Sequence, residues 1–323
     1  MNASCDPDVA VLVPCLDEEA TIGKFVADFR KALPRATIFV CDNGSTDRTL
    51  EVARRAGAVV RREPLRGKGN AVRRMFADVE ADVYVLVDGD DTYDAARAPE
   101  LVQRLLQDSL DMVNGSRIET SVEAYRRGHR FGNVMLTRLV AWFFGERMKD
   151  MLSGYRVMSR RFVKSFPALA SGFEIETELT VHALQLRAPI AEVPTAYRER
   201  PPASSSKLRT IPDGIRILRL ITRLIREERP LEFFSAAAGA LAVIALALMW
   251  PVLQEYLATG LVRRFPTAIV ATGLAVMSFL SLACGLILAT VTRGRNEAKR
   301  LQYLSVPIRF SSRAVPSSRS SAA

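Results

Sequence analysis

Apolar runs alternate with helix-like stretches from Val9 to Arg117. Val9–Pro14, Thr37–Cys41, Ala58–Arg61, Val83–Val87 and Asp111–Val113 are short, apolar and bounded by turn residues, and so read as strands. The intervening segments, Glu18–Ala32, Thr46–Ala56, Gly69–Ala77 and Ala98–Asp108, read as helices. Repeated strand–helix units predict an α/β fold with a mainly parallel sheet covered on both faces. Ser45-Thr46-Asp47 supplies side-chain oxygens for a helix start. Beyond residue 118 the pattern is mixed, with helices expected near Asn133–Phe144 and Glu174–Leu186 and a strand near Ala191–Pro194. The prolines and serines of residues 201–206, just before Lys207, mark a loop.

The pattern then changes. In residues 211–226, Ile211, Ile215, Leu218, Ile221, Leu224 and Ile225 share one helical side, and Arg216, Arg219, Arg223 and Arg226 share the other. Two uncharged apolar segments follow, 233–253 and 266–291, each long enough to cross about 30 Å of hydrocarbon as a helix. Beside them, the basic amphipathic stretch fits an interfacial helix whose arginines meet lipid headgroups. Arg226, Arg229, Arg293, Arg295, Lys299 and Arg300 flank the pair, against Arg263 and Arg264 between the spans. The positive-inside rule therefore places both termini in the cytoplasm. The expected organisation is a globular domain at 1–210, an interfacial helix at 211–232, a two-helix hairpin at 233–291 and a basic, partly disordered tail at 292–323.

Composition refines this picture. The formal charge of +10 over 323 residues suits anionic lipid or phosphate. The arginines lie beside apolar segments without interleaved aromatics, which argues against a nucleic-acid partner. Cys5, Cys15, Cys41 and Cys284 show no CxxC spacing, and His129 and His182 are the only histidines, so the sequence offers no zinc site. Free thiols fit a reducing compartment. The first nine residues carry Asp6 and Asp8 and no basic start before an apolar run, so no signal peptide is expected.

Acidic residues gather after the predicted strands: Asp17, Glu18 and Glu19 after the first, Asp42 after the second, and Asp88, Asp90 and Asp91 after the fourth. Ligands of open α/β sheets bind at that edge. Asp88-Gly89-Asp90 can point two carboxylates at a hard cation, Mg2+ or Mn2+, which would neutralise a leaving diphosphate. Asp42 reads a nucleoside or forms a turn and helix cap, and the two are compatible if Thr46 or Asp47 starts the helix. Gly67-Lys68-Gly69-Asn70 lacks the spacing of a nucleotide phosphate loop.

Seven ordered motifs carry a resemblance: Val13 to Glu19, Asp42 to Asp47, Gly67 to Ala71, Val87 to Asp90, Gly115 to Arg117, Asp150 to Arg156 and Ser206 to Leu208. With them the chain resembles the family 2 inverting glycosyltransferases of the GT-A fold, in the polyprenyl-phosphate, dolichol-phosphate mannose synthase-like branch. The resemblance implies transfer from a UDP- or GDP-sugar to undecaprenyl or dolichyl phosphate at a membrane. It implies that Pro14, Glu19 and Asp42 contact the nucleoside and that Asp88 with Asp90 hold metal and diphosphate. Arg117, with Arg127 or Arg130, would meet the acceptor phosphate, and Arg200 and Lys207 would close over the diphosphate. The bland reading of Arg127 and Arg130 is that they face solvent.

Asp150 is the candidate general base or acceptor-orienting residue, the other reading being a helix-flanking residue or a partner of Arg156. Asp17 stands where the family has asparagine, and Thr92 where many members place glutamine. Asp91 or water is then left to complete the metal shell. The Gln-x-x-Arg-Trp motif of polymerising synthases is absent. The rival functions are a glycosyltransferase with another lipid or glycan acceptor and a non-catalytic membrane scaffold. The sequence leaves room for a homo-oligomer.

Overall fold

A computed structural model describes residues 6–119, 150–198, 219, 226–227 and 229–307. The chain divides into two compact units, one bounded by Met1–Leu218 with Lys299–Ala323 and one by Arg219–Ala298.

In the first unit the strands are β1 (Val9–Cys15), β2 (Thr37–Asp42), β3 (Val59–Arg62), β4 (Val83–Leu86), β5 (Met112–Glu119), β6 (Arg156–Ser159) and β7 (Ile190–Tyr197). The helices are α1 (Glu19–Ala32), α2 (Thr49–Arg55), α3 (Lys68–Asp78), α4 (Ala98–Gln107), α5 (Arg160–Ser165) and α6 (Ile175–Leu186), with one 3-10 turn at Ala95–Arg97. The sheet order is β3-β2-β1-β4-β6-β5-β7. All described pairings are parallel except those of β6, which runs antiparallel to both β4 and β5.

Strand alternation divides the core. Ala10, Leu12, Tyr84 and Leu86 pack with Val72, Met75 and Phe76 of α3, Phe162 of α5 and Leu179 of α6. Val11, Val13, Val83 and Val85 face the other way, against Phe25 and Phe29 of α1, Ala53 of α2 and Leu101 and Leu105 of α4. Strands β1 and β4 are thus buried on both faces, which explains why β4 reads as an unbroken apolar run.

Two short elements, β6 and α5, were not expected. Strand β6 begins with Arg156, a charged residue that is fully buried, so its polarity hides the strand. The guanidinium is satisfied locally: it donates to Ser153 O (3.1 Å), Met151 O (2.6 Å) and Thr180 Oγ1 (2.9 Å). Helix α2 begins three residues later than expected, and its start is served by Asp47, whose Oδ1 accepts from Thr49 N at 3.0 Å.

The second unit contains α7 (Pro230–Thr259) and most of α8 (Phe265–Ser305). Both are long and apolar enough to cross a membrane, and only 17% and 6% of their most apolar windows are buried. Pro251 lies within α7. Ser278 Oγ donates to Ala238 O (2.8 Å) and Ser281 Oγ to Phe234 O (3.1 Å), tying α8 to α7. Helix α8 continues through the basic segment placed in the tail, as far as Ser305. Its end belongs to the first unit, where Tyr303 Oη donates to buried Asp111 at 2.5 Å and Lys299 Nζ to Gln185 Oε1 at 2.9 Å. Of the interfacial helix expected at 211–232, only residues 219, 226–227 and 229–232 are described, and Pro230–Glu232 already form the start of α7; the helix expected at Asn133–Phe144 lies wholly outside the described residues.

Candidate active site

The carboxyl ends of the parallel strands and the start of β6 form one edge of the sheet. Chain direction diverges there: β1 is followed by β2 on one side, while β4 lies on the other. Such a switch point leaves a crevice for ligand.

Asp88-Gly89-Asp90 leaves β4 at this crevice and lies directly on the end of β1. A Cβ on Gly89 would stand 2.6 Å from Cys15 Sγ and 3.1 Å from Val13 Cγ1, so only glycine permits the approach. Thr21 Oγ1 of α1 donates to Gly89 O at 2.9 Å, fixing the segment from the far side. Asp88 has equally little room. A Cβ on Gly154 would sit 2.4 Å from Asp88 Oδ2.

Lys68 Nζ reaches Asp88 Oδ1 at 2.5 Å and also contacts Glu176 Oε1. Glycines on both sides bring Lys68 there. A Cβ on Gly67 would lie 2.1 Å from Ser171 O and one on Gly69 2.2 Å from Ala170 O, so the start of α3 rests on that backbone. Gly67 has φ 128°, in the left-handed region. The Gly67-Lys68-Gly69 motif therefore makes a close backbone contact and delivers an ammonium to the site.

Burial pushes the Asp88 carboxyl up to about 6, with Asp90 and Glu176 adding to the rise and Lys68 opposing it. Burial would lower the Lys68 ammonium, but Asp88 and Glu176 reverse this and hold it above the ordinary lysine range. Asp90 is buried, and its Oδ1 accepts from Thr92 Oγ1 (2.6 Å) and Thr92 N (3.2 Å). Asp91, one of the two options for completing a metal shell, has φ 59° and binds Lys24 Nζ at 2.7 Å.

Among the described residues no group of three or more His, Cys, Asp or Glu could hold a metal. Asp88 and Asp90 could hold a hard cation that takes its remaining ligands from phosphate and water, as Mg2+ and Mn2+ do. The residues fit such a group: Asp88 already faces a cation, the Lys68 ammonium.

On the β1–β2 side, Asp42 is buried, and its Oδ1 accepts from Ser45 N at 3.0 Å, which is the turn role. Its Oδ2 lies 3.9 Å from Arg62 Nε. Pro14 is partly buried and in register with Cys41 of β2. Asp17 braces the next loop by accepting from Thr46 N at 2.7 Å, and Glu19 accepts from Arg48 N (2.9 Å) and Arg48 Nε (2.8 Å). Those bonds, from the backbone first and then the guanidinium, hold Glu19 below the usual carboxylate range.

On the β5–β6 side, Arg117 and Asp150 form a two-point pair: Nε to Oδ2 and Nη2 to Oδ1, each at 2.7 Å. The Arg117 backbone N–H adds a bond to Oδ2 at 3.1 Å. Arg117, and not Arg156, is thus the partner of Asp150. Asn114 Nδ2 holds Asp150 O at 2.8 Å, and Asp150 N donates to Glu192 Oε1 at 3.2 Å. The Arg117 guanidinium also lies 5.6 Å from the Tyr197 ring centroid. Arg127, Arg130, Arg200 and Lys207 lie outside the described residues. Glu176 has no site role in the sequence reading, and Gly154 appears there only within the Asp150 to Arg156 motif, because each meets Asp88 or Lys68 only through the fold.

Residues 10–166 match the model of the family described as glycosyl transferase family 2. Glycosyltransferase AglJ of Haloferax volcanii is 34% identical over 253 residues, covering 77% of this chain and 83% of that protein. A dolichyl-phosphate hexose transferase of the same organism is 34% identical over 223 residues, 69% of this chain and 96% of its own length. The crystal structure of glucosyl-3-phosphoglycerate synthase from Mycobacterium tuberculosis in complex with Mn2+ and UDP-glucose is similar with TM-score 0.55 and 26% identity. It covers 68% of this chain and 78% of that one. With a mainly parallel GT-A-like sheet and relatives matched over most of their lengths, the chain belongs to glycosyl transferase family 2.

Proposed function

We propose that this glycosyltransferase moves a hexose or related sugar from a UDP- or GDP-sugar to a polyprenyl phosphate, undecaprenyl or dolichyl, with inversion at the anomeric carbon. The observation that carries the choice of acceptor is the Arg117–Asp150 pair, in which Arg117 binds both carboxylate oxygens of Asp150. A hydroxyl acceptor needs a base to take its proton, and a carboxylate held in this way is a poor one. A phosphate monoester is already anionic and needs placement more than deprotonation. Its oxygen attacks the anomeric carbon opposite the diphosphate. The carbon–oxygen bond to the diphosphate breaks, and its electron pair leaves with the nucleoside diphosphate.

Asp88 and Asp90 would hold Mg2+ or Mn2+, which when bound supplies positive charge to the leaving diphosphate. Pro14, Asp42 and Glu19 line the nucleoside end, and Arg117 orients the acceptor phosphate together with Arg127 or Arg130. Arg200 and Lys207 cover the diphosphate. The planar fork of arginine suits a phosphate.

Helices α7 and α8 span the membrane in this reading, with the catalytic unit and both termini cytoplasmic, which the flanking basic residues support. A relative named for transfer to dolichyl phosphate supports the acceptor class, and a neighbour crystallised with Mn2+ and UDP-glucose supports the donor class and the cation. The test is incubation of membranes containing the full chain with labelled UDP- and GDP-sugars, undecaprenyl or dolichyl phosphate and Mn2+. A sugar phospholipid released by mild acid, and lost with a chelator, is expected. Its absence with every common donor rejects the proposal.

A further inference from the structure

Glu176 has no part in the chemistry above, yet its carboxylate is buried in the site. Its Oε1 contacts the Lys68 ammonium, and its Oε2 is buried without a hydrogen-bond partner. An acceptor oxygen left unmatched in this way carries a desolvation cost, so its retention calls for a state in which it is used. The same ammonium lies 2.5 Å from Asp88 Oδ1, and its Nζ is 5.9 Å from the Phe173 ring centroid.

We infer that Glu176 is a positioning residue that receives the Lys68 ammonium when Asp88 turns to a divalent cation. The inference rests on the reading of Asp88 and Asp90 as ligands of that cation. A cation approaching Asp88 meets a like charge bound to the same carboxylate, and the conflict ends only when Lys68 moves away. An ammonium offers three N–H donors, and Glu176 Oε2 gives one of them a new acceptor within the same carboxylate.

The backbone favours this exchange over a larger rearrangement. Gly67 and Gly69 rest on Ser171 O and Ala170 O, so the Lys68 main chain is held while its long side chain can turn. Glu176 lies in the first turn of α6, a few residues after that contact, so donor and acceptor share one corner of the fold. Lys68 thereby offsets the charge of Asp88 in the cation-free site, and Glu176 lowers the cost of withdrawing it.

The test is Mn2+ binding to the full chain in detergent, read from the loss of the free-ion electron paramagnetic resonance signal without nucleotide. Lys68→Met removes the competitor and tightens Mn2+ binding by about tenfold. Glu176→Gln leaves the displaced ammonium uncompensated and weakens it by about tenfold, the scale expected for unit charges a few ångströms apart in a partly buried site. A damaged fold weakens binding in both variants, so the opposite signs separate this exchange from a purely structural role. Weakening in both, or wild-type affinity in both, overturns the inference. Asp88→Asn is the separate control: unchanged Mn2+ affinity there overturns the underlying assignment of the cation ligands.

Discussion

Gly154→Ala isolates the placement of Asp88 from its charge. Gly154 precedes β6 by two residues and does not have the positive φ that would itself exclude alanine. The added methyl group would lie 2.4 Å from Asp88 Oδ2, 3.0 Å from Cγ and 3.3 Å from Oδ1. Ordinary contact begins near 3.4 Å, so the carboxylate must retreat by about 1 Å. Misplacement on that scale costs on the order of 100-fold in rate, or about 2.7 kcal/mol of transition-state stabilisation. The expected result is a loss of about that size in kcat/KM for the donor, with weaker Mn2+ binding and a near-normal melting temperature. Gly273→Ala, at a position with nothing within 4 Å, is the control and should be silent. A Gly154→Ala enzyme within about threefold of wild type would refute the steric argument.

With the proposed phosphate acceptor, which would need no base, Asp150→Asn should keep activity within about tenfold, whereas a hydroxyl acceptor predicts a loss above about 100-fold; initial rates with saturating donor decide between them. Buried His182 sits against Phe162 and Phe166, with burial and then Lys299 lowering its pKa from the ordinary 6.5 to about 3. A depressed folded pKa gives stability that is complete above about pH 6.5 and lost as pH falls. Between pH 7 and pH 5 this group should cost about 2 kcal/mol, and His182→Gln should flatten that part of a denaturation-midpoint profile. An unchanged slope rejects the assignment. Tyr303→Phe removes one donor from Asp111, which keeps Arg161 and Ser159, and should lower stability by about 1–2 kcal/mol without changing kcat. A thermal shift assay in detergent measures it, and an unchanged midpoint would show that the bond contributes nothing.

Strands β1, β2 and β4 are legible because burial on both faces turns each into an apolar run, as in Val83–Leu86. Helix α1 was legible for the complementary reason: Ile22, Phe25, Val26 and Phe29 repeat at helical spacing, and all are buried. Strand β6 was not, because four residues that begin with a buried arginine carry no apolar signature. The acidic residues at the strand ends could be read as a group, but their partners could not. Asp150 lies six positions from Arg156 and 33 from Arg117, and only the pairing of β5 with β6 makes the distant arginine its neighbour. Lys68 sits in a glycine-rich stretch that counts among the family-like motifs, yet its spacing fits no nucleotide loop and so gives it no role. Its meaning depends on Asp88, Ser171 and Glu176, which no local pattern connects.

The reversed direction of β6 has a consequence for how this family can diversify. Strand β5 ends, and β6 begins, at the edge of the sheet that holds Asp88, as the register of Asn114 and Leu86 with Arg156 shows. The chain therefore leaves β5 and enters β6 at the same rim. The start of β6 is meanwhile held from both sides, with Arg156 in register with Leu86 of β4 and Asn114 of β5. On the proposed roles of Arg127 and Arg130, grafting residues 120–149 from a relative with another acceptor should change acceptor preference and leave donor preference intact, which product analysis with two lipid phosphates and two nucleotide sugars would check.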